Sequence, residues 1–229
     1  MDDFNPKEGI ILVDKPKGLT SHDVVDIVRR RLKIRKVGHA GTLDPLAEGL
    51  LIILVGRFTK YFTRFVNFDK EYIGIMKLGE ITTTGDSEGR LLKRINPEGI
   101  DEKRIKEAFL KFTGNIQQVP PMVSALRIRG HRLYSLARRG ITVERPPRSI
   151  AIHSLEIIKI DFPYIEFHTH CSKGTYIRKL AEDIGNELSC GAHMVKIVRL
   201  KIGPFKLENA VRPDSIDESH LQKITFSKN

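Results

Sequence analysis

Tryptophan is absent from this 229-residue chain, and cysteine occurs only twice, as Cys171 and Cys190. Two cysteines build no disulfide framework, so a reducing, cytoplasmic setting is the default expectation. No apolar stretch approaches the roughly 20 residues that cross a bilayer as a helix, and no membrane partner is expected. The first residues, Met1-Asp2-Asp3-Phe4-Asn5, lack the basic start of a signal peptide. Internal repeats, long linkers and low-complexity tracts are missing too. So are a Walker A loop, a dinucleotide fingerprint and a serine-centred nucleophile elbow, which removes the common nucleotide-hydrolysing, redox and serine-hydrolase classes.

Acidic charge is in deficit. Thirty-nine Lys and Arg stand against 28 Asp and Glu, a net charge of +11. An excess of this kind suits a polyanionic partner, because each phosphate neutralised releases counterions. The basic residues cluster as Arg29-Arg30-Arg31 with Lys33, Arg35 and Lys36, as Arg127 to Arg132, and as Arg138-Arg139. A charge run is ordinarily only a solvated face; here the runs lie beside the motifs described below.

An apolar share of 40% is enough for a real core. Gly9–Asp14 reads as a short strand, and Thr20 or Ser21 as the cap of a helix carrying Val24, Val25, Ile27, Val28 and Leu32. Leu50-Leu51-Ile52-Ile53-Leu54-Val55, bounded by Gly49 and Gly56, has the form of a buried strand. Residues 70–78 predict a strand followed by a polar loop over 82–89, and residues 100–112 a helix with Ile105, Ala108, Phe109 and Phe112 on one face. A short helix over 133–139, strands over 148–160 and 164–171, a helix over 175–188 and a strand over 192–202 complete the pattern. Strands and helices mix without a regular βαβ rhythm. The expected class is therefore α/β of the α+β type, a mixed, largely antiparallel sheet flanked by helices.

Chemistry concentrates in residues 38–49, Gly-His-Ala-Gly-Thr-Leu-Asp-Pro-Leu-Ala-Glu-Gly. A glycine-bearing loop with an Asp, set against a rigid strand, is a common place for a reacting side chain. The plainer alternative makes Asp44-Pro45 the N-cap and first position of a short helix that Gly49 ends.

The wider string resembles the bacterial TruB family of tRNA pseudouridine synthases. Lys15-Pro16-Lys17-Gly18-Leu19-Thr20-Ser21-His22-Asp23-Val24-Val25 and Lys36 through Pro45 carry the likeness. Further along come Lys70-Glu71-Tyr72 with Leu78-Gly79, Gln118-Val119-Pro120-Pro121 with Ser124-Ala125, and Arg132-Leu133-Tyr134. Gly174-Thr175-Tyr176-Ile177-Arg178 and Cys190-Gly191-Ala192-His193 complete the series. The resemblance implies the pseudouridine synthase fold and the isomerisation of uridine 55 in the TΨC loop of tRNA. It places a catalytic domain at 1–212 and a short tail at 213–229, without the usual C-terminal PUA domain.

By the same resemblance Asp44 is the catalytic carboxylate, attacking C1′, attacking C6 or removing a 2′ proton. Arg178 is its counter-ion. Tyr72 stacks on the target base and assists proton removal from C5. His39 occupies the space left by the flipped nucleotide, and Lys15 braces the loop or contacts phosphate. Tyr176, Ile197 and Arg199 bind substrate. No metal and no organic cofactor is implied. His168, His170, Cys171, Cys190 and His193 form the one candidate zinc set, but in a regular strand Cys171 points away from the face that His168 and His170 share. The implied partner is the T-arm stem-loop of tRNA, met by a monomer without guide RNA. A tRNA-folding chaperone without catalysis is the alternative.

Overall fold

Residues 70–78 alternate buried and half-buried along their length, and residues 50–55 are buried throughout. The first strand thus has one well-covered face, whereas the second is covered on both. The computed structural model describes residues 7–224 apart from 125 and 129. Parts of two quoted patterns, Ala125 and Arg129, thus lie outside the described residues, as do residues 1–6 and 225–229.

In chain order the elements are β1 (Gly9–Lys15), α1 (Ser21–Leu32), β2 (Val37–Ala40), β3 (Glu48–Val55), α2 (Phe62–Val66), β4 (Lys70–Leu78), β5 (Glu80–Thr82), β6 (Leu91–Arg94) and α3 (Glu102–Lys111). There follow β7 (Gly114–Gln118), β8 (Arg127–Ile128), β9 (His131–Arg132), α4 (Leu133–Arg138), β10 (Arg148–Asp161), β11 (Tyr164–Cys171), α5 (Ile177–Glu187), β12 (Ala192–Ile202) and β13 (Phe205–Lys206). The expected strands and helices all form, with ends that coincide or shift by at most two residues. Among the described residues no helix is long and apolar enough to cross a membrane. The chain divides into two compact units, Met1–Lys70 with Val198–Asn229, and Glu71–Ile197.

In the first unit β3 is the central strand. It pairs antiparallel with β1, Lys15 opposite Gly49, and antiparallel with β2, Ala40 opposite Ile52. At its start it runs parallel to β12, with Gly49 opposite Arg199. Helix α1 opens on a capping box: the Asp23 amide donates to the Thr20 hydroxyl at 3.1 Å, and the Thr20 amide to the Asp23 carboxylate at 2.7 Å. Val24, Val25, Val28 and Leu32 are buried, whereas Ile27 is only half-buried. Residues 211–222 lie along β1: the Asp14 amide donates to the Val211 carbonyl at 2.9 Å, and the Gln222 amide to that of Ile10 at 2.9 Å. Ile216 in this segment is buried, so β1 does not leave a bare strand edge there.

The second unit orders its strands β4-β11-β10-β7. The β10–β11 and β10–β7 pairs are antiparallel. Helix α3, capped by Asp101, buries Ile105, Ala108 and Phe109, and the Phe109 ring meets Phe167 of β11 edge-on at 5.9 Å. Phe112 falls just beyond the helix as its C-cap. An ion pair between Lys111 and Glu187 at 2.5 Å ties α3 to α5.

Candidate active site

Residues 41–47 form neither helix nor strand, so Asp44-Pro45 does not begin a helix. The segment is a loop with one tight turn, the Ala47 amide donating to the Asp44 carbonyl at 3.1 Å around Pro45. Three side chains from separate elements hold it. Ser21, the alternative cap of α1, instead turns to the loop: its hydroxyl donates to the Leu43 carbonyl at 3.0 Å and accepts from the Leu43 amide at 2.8 Å. Lys15, fully buried, donates to the carbonyls of Pro16 at 2.9 Å, Leu19 at 2.6 Å and Pro45 at 3.4 Å. Arg199, 2% exposed, donates to the carbonyls of Leu50 at 2.7 Å, Gly41 at 3.2 Å and Thr42 at 3.4 Å. The Gly18 amide adds a fourth tie to the Pro45 carbonyl at 2.9 Å.

Gly41, Thr42, Leu43, Pro45 and Ala47 are thus anchored, and two buried cations donate to the loop. A buried Lys or Arg is rare unless its donors are satisfied; here backbone carbonyls satisfy them. Gly49, at φ +97°, makes the close approach possible: a Cβ there would sit 2.5 Å from the Arg199 carbonyl oxygen. Lys15 and Arg199 thus both donate to carbonyls of this loop within the first unit.

His39 lies on β2, half-buried. Burial first, then the positive charge of Arg199 and of His22, pushes its pKa down to about 4. The imidazole is therefore neutral at neutral pH.

In the second unit the first turn of α5 carries Arg178, 3% exposed. Its Nη2 donates to the Val123 carbonyl at 2.7 Å and its Nη1 to that of Thr84, while Nε lies 3.7 Å from the Asp86 carboxylate, itself 5% exposed. A cation in the first turn opposes the helix dipole, and these acceptors offset the cost. Asp86 sits in the segment that reads in sequence as a solvated polar loop. In fact the loop is built around it: the Thr84 hydroxyl and the Glu88 amide donate to Oδ1 at 2.5 and 3.1 Å, and the Ser87 amide to the Met194 carbonyl at 2.9 Å. No sequence signal singled it out. Tyr176 is the N-cap of α5, Tyr72 is buried on β4, and Ile197 is buried on β12. Of the candidate zinc set, Cys171 and Cys190 are buried and form no disulfide. His168 faces Glu71 at 3.8 Å and His170 faces His153, their ring centroids 4.7 Å apart.

The basic runs divide. Arg29 pairs with Asp26 at 2.9 Å and Arg31 donates to the Ile216 carbonyl at 2.5 Å, so both serve the first unit itself. Arg30, Lys33, Arg35 and Lys36 are exposed. A further exposed group was not singled out in sequence: Lys60 and Arg64 flank the Tyr61 ring at 4.9 and 5.7 Å.

Comparison with known proteins agrees with this geometry. Residues 29–177 match the TruB family pseudouridylate synthase (N terminal domain), and residues 178–225 match the tRNA pseudouridylate synthase B C-terminal domain. Proteins called tRNA pseudouridine synthase B from Clostridium tetani and Protochlamydia amoebophila are 47% and 49% identical, across 94% and 89% of this chain and 75% and 78% of theirs. Among solved structures, a chain in a crystal structure of a Cbf5-Nop10-Gar1 complex is 30% identical with a TM-score of 0.71. That match takes in 90% of this chain and 53% of the neighbour, so the chain spans about half the neighbour's length. The sequence motifs, the sheet and the family matches converge: the chain belongs to the TruB family of pseudouridylate synthases.

Proposed function

We propose that this protein isomerises uridine 55 in the TΨC loop of tRNA to pseudouridine, as a monomer in the cytoplasm, with no metal, organic cofactor or guide RNA. The observation that supports the reading is the anchored 41–47 loop, in which Asp44 stands between carbonyls gripped by the buried cations Arg199 and Lys15.

Pseudouridylation breaks the N1–C1′ bond, turns the base and joins C5 to C1′, after which C5 loses its proton and N1 gains one. No atom leaves, so the protein's tasks are to extrude the base, position one carboxylate and keep water away. Asp44 is the catalytic carboxylate, and Arg178 is its counter-ion. Tyr72 stacks on the extruded base, with Tyr176 and Ile197 lining the base pocket. His39, neutral because of its depressed pKa, takes the place the base vacates; opening a base costs a few kcal/mol, which such an insertion offsets in part. Exposed Arg30, Lys33, Arg35, Lys36, Lys60 and Arg64 supply positive surface for the T-arm phosphates. Recognition by shape and unstacked bases is the usual way of reading RNA.

The test is pseudouridine mapping of an unmodified tRNA transcript incubated with the purified protein alone. Pseudouridine at the T-loop position only is expected, and Asp44→Asn should bind the transcript yet form none. Turnover by Asp44→Asn would remove the assignment of the carboxylate. Tight binding by the wild type without product would favour the chaperone alternative.

A further inference from the structure

The start of α5 lacks the usual means of holding itself. Its N-cap, Tyr176, makes no side-chain capping bond, and its first turn carries no acidic residue but a buried cation. Something outside the helix must fix it, and Gln118, 2% exposed, does so. Its side-chain amide grips the backbone of Tyr176 on both sides: Oε1 accepts from the Tyr176 amide at 2.8 Å, and Nε2 donates to the Tyr176 carbonyl at 3.2 Å. The pairing imitates one rung of a β-ladder, made by a side chain across 58 residues of sequence.

The position of Gln118 explains why a side chain takes this part. It is the last residue of β7, and Val119-Pro120-Pro121 follows. Proline has no amide hydrogen, so the backbone beyond Gln118 cannot continue a ladder. The same segment then returns to α5 at Val123, whose carbonyl accepts from Arg178. Two consecutive grips, at Tyr176 and at Arg178, therefore come from one stretch of chain.

We infer that Gln118 is a positioning residue for catalysis: it sets the backbone at Tyr176, and through it the first turn of α5 that presents Tyr176 and Arg178. The inference rests on the function proposed above. Loss of both grips should let that turn drift by a fraction of an ångström, slowing chemistry more than binding.

The experiment compares wild type with Gln118→Met, which keeps the length and removes both hydrogen bonds. Single-turnover pseudouridine formation and equilibrium binding are measured on one unmodified tRNA transcript, and hydrogen exchange at the Tyr176 amide on the free protein. The expected result is a rate lowered about tenfold to hundredfold, the worth of two buried hydrogen bonds, with affinity changed less than about threefold. Exchange at Tyr176 should be slow in the wild type and fast in the variant. Gln118→Asn, one methylene too short to span both groups, should fall between them and serves if Gln118→Met does not fold. A variant as fast as wild type, or a rate loss matched by the loss of affinity, overturns the inference. So does rapid exchange of the Tyr176 amide in the wild type, whatever the variants do. A wild type that makes no pseudouridine overturns the proposed function instead, and protection at Tyr176 in that case confines Gln118 to fixing the helix.

Discussion

Replacing Arg199 by methionine tests the anchored loop directly. The guanidinium donates to three carbonyls, those of Leu50, Gly41 and Thr42, from a site 2% exposed to solvent. Hydrogen bonds with a charged partner contribute about 1.5–3 kcal/mol each. Two of the three are long, and Ser21 and Lys15 keep their own grips, so a net loss of about 3 kcal/mol is the reasonable sum. For a chain of this size that corresponds to a fall in Tm of roughly 6–12 °C. Arg199→Lys reaches one carbonyl at a time and should lose about half as much. A second readout is independent of stability. Burial first, then the Arg199 charge, depresses the His39 pKa from its usual 6.5 to about 4; without that charge the His39 titration, followed by NMR, should move upward by part of that shift. Single-turnover pseudouridine formation should fall about a hundredfold, the scale of an ångström of misplacement. If Tm falls by less than about 2 °C and the His39 titration stays put, the loop is not held as described.

Three further outcomes follow from the same geometry. Gly49→Ala forces a Cβ to 2.5 Å from the Arg199 carbonyl oxygen at φ +97°; a loss above about 2 kcal/mol by urea unfolding is expected, and a neutral effect would refute the close approach. Asp86→Ala removes the carboxylate that faces Arg178 and accepts from Thr84 and Glu88, while the Thr84 and Val123 carbonyls still accept from the guanidinium; a cost of about 1–3 kcal/mol is expected, with Asp86→Asn milder because the amide still accepts from the Glu88 amide, and equal losses would contradict the ion pair. His39 has a folded pKa of about 4 against 6.5 unfolded. The unfolded chain therefore takes up the proton first, and stability present above about pH 6.5 declines as pH falls towards 4, by about 3 kcal/mol in all. Denaturation midpoints of wild type and His39→Gln across that range should converge, and parallel curves would exclude His39 as the cause.

What the sequence discloses and what it conceals separate along one physical line. Thr20 and Asp23 reveal the start of α1 because a cap is satisfied within one turn, and the alternation in β4 and the glycine-bounded apolar run of β3 are equally local. Asp44-Pro45 by itself reads equally as a helix cap, and it is the whole string around it, through its likeness to the family, that singles Asp44 out. The supports of the site follow the opposite logic. Lys15, Asp86, Gln118, Arg178 and Arg199 are polar and buried, whereas sequence patterns equate polar with exposed. Asp86 lies in Thr-Thr-Thr-Gly-Asp-Ser-Glu-Gly, a composition suited to a solvated turn, and only the fold discloses that Arg178 faces it. The run Arg29-Arg30-Arg31 shows the converse: two of its guanidiniums turn to the protein's own carboxylate and carbonyl, so counting charge overstates what remains for RNA. A buried polar residue is stable only where its partners are already in place. Those partners lie 22 to 158 residues away for Ser21 and Arg199. Elements fixed by near neighbours are therefore legible in the sequence itself, while the partners of the buried polar residues become legible only from the chain folded around them.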